Sequence, residues 1–63
     1  VAQEQLSTNE HWLVIDGDLH VEMENRESEL YTGDVALLRA GLVRRMWTGS
    51  GTRVILVRET AHQ

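Results

Sequence analysis

Cysteine, proline, lysine and phenylalanine are all missing from this chain, and each gap narrows what it can be. Without cysteine there are no disulfides, no thiolate metal sites and no thiol nucleophile. Every basic residue is arginine, and the 6 arginines face 10 acidic residues for a formal charge of -4. A net negative field disfavours phosphate backbones and anionic membranes. Base stacking would also need more aromatic faces than Trp12, Tyr31 and Trp47 supply. No apolar run approaches the roughly 18 residues of a membrane span, and the chain does not start with a signal-peptide pattern. Ser7, Ser28 and Ser50 lie in turn-like contexts without His-Asp partners, so a hydrolytic triad is not expected. The expected setting is soluble and cytoplasmic, with no nucleic acid, no membrane and no cofactor.

The 63 residues make one small domain, 1–63. A chain of this size buries only about 60% of the surface its unfolded form exposes, so it is marginal alone. Domains this small usually add a disulfide, a metal or a partner subunit. With the first removed, the choices are a non-thiolate metal, self-association, or membership of a larger barrel. The first residue is Val rather than Met, which makes further upstream sequence one expectation.

What is present is punctuated by glycine and asparagine, with apolar residues in short runs rather than at helical spacing. Trp12 to Ile15 is one run, closed by Asp16-Gly17-Asp18. Leu19, Val21 and Met23 alternate with His20 and Glu22, the period-two pattern of a half-buried strand. Glu24 to Ser28 reads as a hairpin turn, with Leu30 and Tyr31 in the returning strand. Thr32-Gly33-Asp34 is the next turn, followed by strands at Val35 to Leu38, Leu42 to Trp47 and Arg53 to Arg58. Short strands separated by glycine turns argue for an antiparallel sandwich or barrel. The competing assignment is a helix over Val21 to Leu30, whose Glu, Met, Arg and Leu content suits one.

The glycine spacing carries a resemblance. Glu10 is followed by six residues and Gly17; Gly33-Asp34 is followed by four residues, Arg39-Ala40-Gly41, and Arg44. This resembles the double motif of the cupin superfamily: His-x-His, three or four residues, Glu, six residues, Gly; then Gly, five residues, Pro-x-Gly, two residues, His. The resemblance covers nearly the whole chain. It implies a small antiparallel cupin-like (jelly-roll type) β-barrel, incomplete without a partner subunit because almost nothing precedes Gln3. It also implies where a metal would lie. The His-x-His positions fall on Gln3 and Gln5, the proline position on Arg39 and the last histidine on Arg44. Only Glu10 matches the usual ligand set. Glutamine is a weak neutral ligand, and arginine stays protonated and cannot ligate, so no metal is expected there.

The candidate site is therefore Gln3, Gln5, Glu10, Trp12 and Arg44. Arg44 would supply a cation, Glu10 would orient it, the glutamines would offer amide hydrogen bonds and Trp12 an apolar wall. Such a set suits a small polar or anionic ligand. The same residues also read as an internal Glu10–Arg44 ion pair with no ligand at all. His11 and His20 alternate away from the apolar positions and read as outward-facing; His62 lies in a polar tail. The Arg39, Arg44, Arg45, Arg53 and Arg58 group reads as rim pairing and edge protection. With Val54 and Leu56 packed inward, Ile55 and Val57 must face something outside, as must Leu13 and Ile15. A homodimer packed sheet against sheet, or exchanging N-terminal strands, would cover them. The function expected is ligand binding or dimeric interaction without catalysis. The alternative is a metal-dependent cupin enzyme of sugar isomerase or dioxygenase type with an atypical site.

Overall fold

The computed structural model describes residues 2–59, and His62 lies outside them. Seven strands account for most of the described chain: β1 (Ala2–Gln5), β2 (Glu10–Asp16), β3 (Asp18–Met23), β4 (Arg26–Tyr31), β5 (Val35–Leu38), β6 (Val43–Thr48) and β7 (Arg53–Arg58). No helix occurs among the described residues, so the Val21–Leu30 helix does not form and no helix is long and apolar enough to cross a membrane. The strands make two antiparallel sheets, ordered β1-β6-β3-β4 and β5-β2-β7. The expected all-β, antiparallel class holds, and the strands form two separate sheets rather than one closed barrel, because β1, β4, β5 and β7 each end a sheet.

Alternation explains the packing. Leu19 and Val21 of β3, Leu30 of β4, Val14 of β2 and Leu38 of β5 turn inward and, with Leu6, form the buried core. Trp12, Met23, Ala36, Met46 and Val54 pack around it. Leu6 is tied in by backbone bonds in both directions: its N–H donates to the Leu42 carbonyl at 2.9 Å, and the Gly41 N–H donates to the Leu6 carbonyl at 2.9 Å. Asn9 bridges further, its side-chain oxygen accepting from the Ala40 N–H at 2.7 Å and its carbonyl from the Glu59 N–H at 3.0 Å.

Two turns set the register. The β3–β4 hairpin turns on Glu24 and Asn25 alone, both at positive φ (51° and 63°), and Met23 pairs with Arg26. That is the two-residue hairpin geometry favoured by strand twist, and it replaces the five-residue turn expected at Glu24–Ser28. Gly17, at φ 108°, links β2 to β3. A Cβ there would stand 2.5 Å from the Thr52 hydroxyl, so both the angle and the space require glycine. Ile15 sits at a bulge, where the β2–β7 register shifts between Val14 and Asp16.

Candidate functional site

Glu10 begins β2 and points between the sheets, where it is 2% exposed. Arg44 lies on β6 of the other sheet and is 5% exposed. They meet across the sandwich, with Arg44 Nη2 donating to Glu10 Oε1 at 3.2 Å. The same Nη2 donates to Glu4 Oε1 at 3.1 Å, because Glu4 is the β1 residue paired directly with Arg44. Trp12, two residues along β2 on the same face, donates its indole N–H to Glu10 Oε1 at 3.0 Å. Its ring also lies under the guanidinium, 5.7 Å from centroid to Arg44 Cζ, within cation–π range. Arg58, paired with Glu10 in the β2–β7 ladder, completes the set by donating from Nε to Glu10 Oε2 at 3.0 Å.

Removing a carboxylate from water opposes its charge by several kcal/mol, roughly, unless donors replace the solvent. Burial pushes the Glu10 pKa up; the Trp12 and Arg58 hydrogen bonds and the Arg44 charge outweigh it, and the net shift is downward. The charges also balance, with Glu4 and Glu10 against Arg44 and Arg58. One donor is left over: Arg44 Nε is buried without a hydrogen-bond partner.

Glu10, Trp12 and Arg44 are thus brought together, whereas Gln3 and Gln5 are not part of their cluster. Gln3 pairs with Arg45 and Gln5 with Val43, so alternation puts both on the outer face of the four-stranded sheet. The expected ligand set divides there, for the physical reason that β1 offers Glu4, not its neighbours, to Arg44. The cue in the sequence is parity: Glu4 shares even numbering with Leu6, the large apolar residue of that segment. A cupin-type metal does not fit this cluster, since the guanidinium of Arg44 stands where a ligand nitrogen is required and would repel a cation.

Gln3 instead borders a cleft of about 320 Å³ lined by Glu22, Met23, Glu24, Asn25, Val43 and Arg45. Within it Arg45 Nη1 donates to Glu22 Oε1 at 2.8 Å. Farther along the same outer face, His20 of β3 stacks on Trp47 of β6, with centroids 5.5 Å apart and planes 4° from parallel. Its Nε2 is 2.7 Å from Asp18 Oδ2. Trp47 therefore faces out, whereas Trp12 packs inward.

The outer face of the three-stranded sheet is different in kind. Leu13 pairs with Val35 on one side and Ile55 on the other, and His11 with Leu37 and Val57. Val35, Leu37, Ile55 and Val57 are all exposed, and Ile15 at the bulge is exposed beside them. His11 reaches the rim, its Nε2 3.1 Å from Glu59 Oε1. No protein-family model, curated protein or solved structure matches the chain.

Proposed function

We propose that this chain is a cupin-like domain working as a dimeric interaction module, joined through the outer face of β5-β2-β7. The observation that carries the reading is the cross-strand aliphatic set Val35–Leu13–Ile55 with Leu37 and Val57, left facing water on a domain with a small core. A small domain that leaves such a surface uncovered gains by self-association. A specific interface between two copies should bury about 1,000 Å² in total or more. The cupin-like part is supported by Glu10 and Arg44, which stand at the Glu and His positions of the two motifs and meet between the sheets.

Sedimentation velocity on the untagged chain tests this, expecting a dimer at micromolar concentration. Leu13→Lys and Ile55→Lys, each with a strand-type circular dichroism spectrum, should sediment as monomers. A wild-type monomer under the same conditions overturns the proposal.

A second reading, a small anionic ligand held by Glu10, Trp12 and Arg44, is favoured by the unpaired donor at Arg44 Nε. An incoming carboxylate or sugar oxygen would complete it. Tryptophan emission of a Trp47→Phe variant, titrated with acetate and citrate, should then change saturably; a flat titration with both probes removes the reading. For the metal-dependent enzyme alternative, this position offers the carboxylates of Glu10 and Glu4, both already paired with Arg44.

A further inference from the structure

We infer that the outer face of the β3–β4 hairpin is a binding site for a divalent transition metal ion, held by His20, Glu29 and Glu27. The site is separate from the interior cluster and independent of the dimer reading, because it lies on the outer face of the other sheet. His20 and Glu29 are direct cross-strand partners, and Glu27 is two residues along on the same face of β4. One donor atom from each of the three lies within 4.8 Å of the others.

The placement of His20 is what turns a group of side chains into a site. Its Nε2 is hydrogen-bonded to Asp18 Oδ2 at 2.7 Å, and a carboxylate can only accept, so Nε2 carries the proton. In the neutral ring this leaves Nδ1 as a bare lone pair. Nδ1 is buried, has no hydrogen-bond partner, and lies 3.7 Å from Glu29 Oε2. With Nδ1 unprotonated, a metal ion placed between it and the Glu29 carboxylate would bond to both. Zinc bonds nitrogen and carboxylate oxygen at about 2.0–2.2 Å, which puts neighbouring ligands of a tetrahedral site about 3.4 Å apart. The observed gap is within a few tenths of an ångström of that.

The supporting contacts are those such a site needs. A ligating imidazole commonly donates its other nitrogen to a carboxylate, which fixes the tautomer and raises its basicity. Asp18 does this, and is itself held by Thr52, whose hydroxyl donates to Asp18 Oδ1 at 3.3 Å. Gly49 leaves room for that approach, since a Cβ there would stand 2.5 Å from Asp18 Oδ1. Trp47, stacked on the imidazole, locks its plane. Tyr31 donates its hydroxyl to Glu29 Oε1 at 2.6 Å and leaves Oε2 turned to His20. The charge is right as well: Glu22 is paired with Arg45, while Glu27, Glu29 and Asp18 share the face with one imidazole. Imidazole with two carboxylates and no thiolate suits zinc, manganese or iron(II), and leaves positions open to water.

Titration of the untagged chain with zinc chloride by calorimetry is the test, with His20 followed by nitrogen NMR. One equivalent should bind, with Nδ1 showing the metal-bound shift and Nε2 keeping its proton. His20→Gln should abolish binding, Glu29→Gln should weaken it at least tenfold, and Asp18→Asn should weaken it by about 10- to 100-fold. His11→Gln should leave it unchanged. Should His20→Gln fail to fold by circular dichroism, Glu29→Gln and Glu27→Gln carry the test, since both side chains are exposed. No saturable uptake below about 100 μM zinc, uptake that survives loss of His20, or uptake that requires His11 (an adventitious ion only) each overturns the assignment.

Discussion

The four-stranded sheet carries a cluster of charged side chains on each of its faces, and the two are built on opposite terms. Between the sheets, Glu10 is met by Arg44, Arg58 and Trp12, and positive and negative charges cancel with Glu4 included. On the outside, Asp18, Glu27 and Glu29 surround His20, whose Nδ1 has no hydrogen-bond partner. The buried cluster had to be neutralised within the chain, because an unpaired charge there would cost more than the domain has to spare. The outer one is tolerated unbalanced because water screens it. Neutralised charge holds the fold together, and charge left unbalanced is free to recruit something else.

The largest effect should come from opening the buried cluster. Arg44→Ala leaves the buried Glu10 carboxylate only Arg58 and Trp12 and should destabilise by up to about 3–5 kcal/mol in urea unfolding. Replacing both partners with methionine removes the stranded charge, so Glu10→Met with Arg44→Met should recover most of that loss.

Acid attacks the same cluster next. Glu10 has its pKa lowered below the usual 4.5, so its contribution is complete above the unfolded value and lost as pH falls through the lower folded value. Urea midpoints measured from pH 7 down to about 3 should fall on the acid side, and Glu10→Gln should flatten that fall. Asp18, held down chiefly by its hydrogen bond to His20, adds a smaller drop of the same sign.

Arg58→Ala should cost about 1 kcal/mol or less, since the guanidinium is largely exposed and Arg44 remains to hold Glu10. A cost as large as that of Arg44→Ala would show that the two arginines share the carboxylate equally. The smallest effect belongs to the outer cluster. The Glu29 hydrogen bond raises the Tyr31 pKa above 10.0, so its contribution is complete below the unfolded value and lost as pH rises through the folded one. Tyr31→Phe should therefore remove a slight alkaline loss of thermal midpoint and leave neutral-pH stability almost unchanged.

How far each cluster was legible depends on its strands. Apolar alternation marks β3 against a competing helix over Val21–Leu30, and the runs at Val35–Leu38 and Arg53–Arg58 match β5 and β7. Glu10 and Arg44 are aligned by glycine spacing, and they do meet. Edge strands are harder to read. On β4 only Leu30 is buried, so Arg26, Glu27 and Ser28 look like turn residues. Reading them so hides the register that sets Glu29 opposite His20. On β1, the parity of Leu6 just beyond it marks the inner face, and the motif register points to Gln3 and Gln5 where the strand instead pairs Glu4 with Arg44.

The pairing of β2 with β7 joins strands far apart in sequence, and the Glu59–Asn9 backbone bond continues it. The β3–β4 hairpin closes over two residues and can form in about 1–10 μs by itself. The β2–β7 ladder must instead wait for almost the whole chain to be gathered, and this loop-closure entropy is lost before any contact repays it. Folding should therefore begin at the β3–β4 hairpin and finish on the long-range ladders β1–β6 and β2–β7. Ile55 and Val57, on a strand that pairs only with β2, are consequently among the last to find partners. While they wait they are the segment most exposed to pairing with another molecule, so the order of folding, as much as the finished surface, sets the concentration at which this chain meets its neighbours.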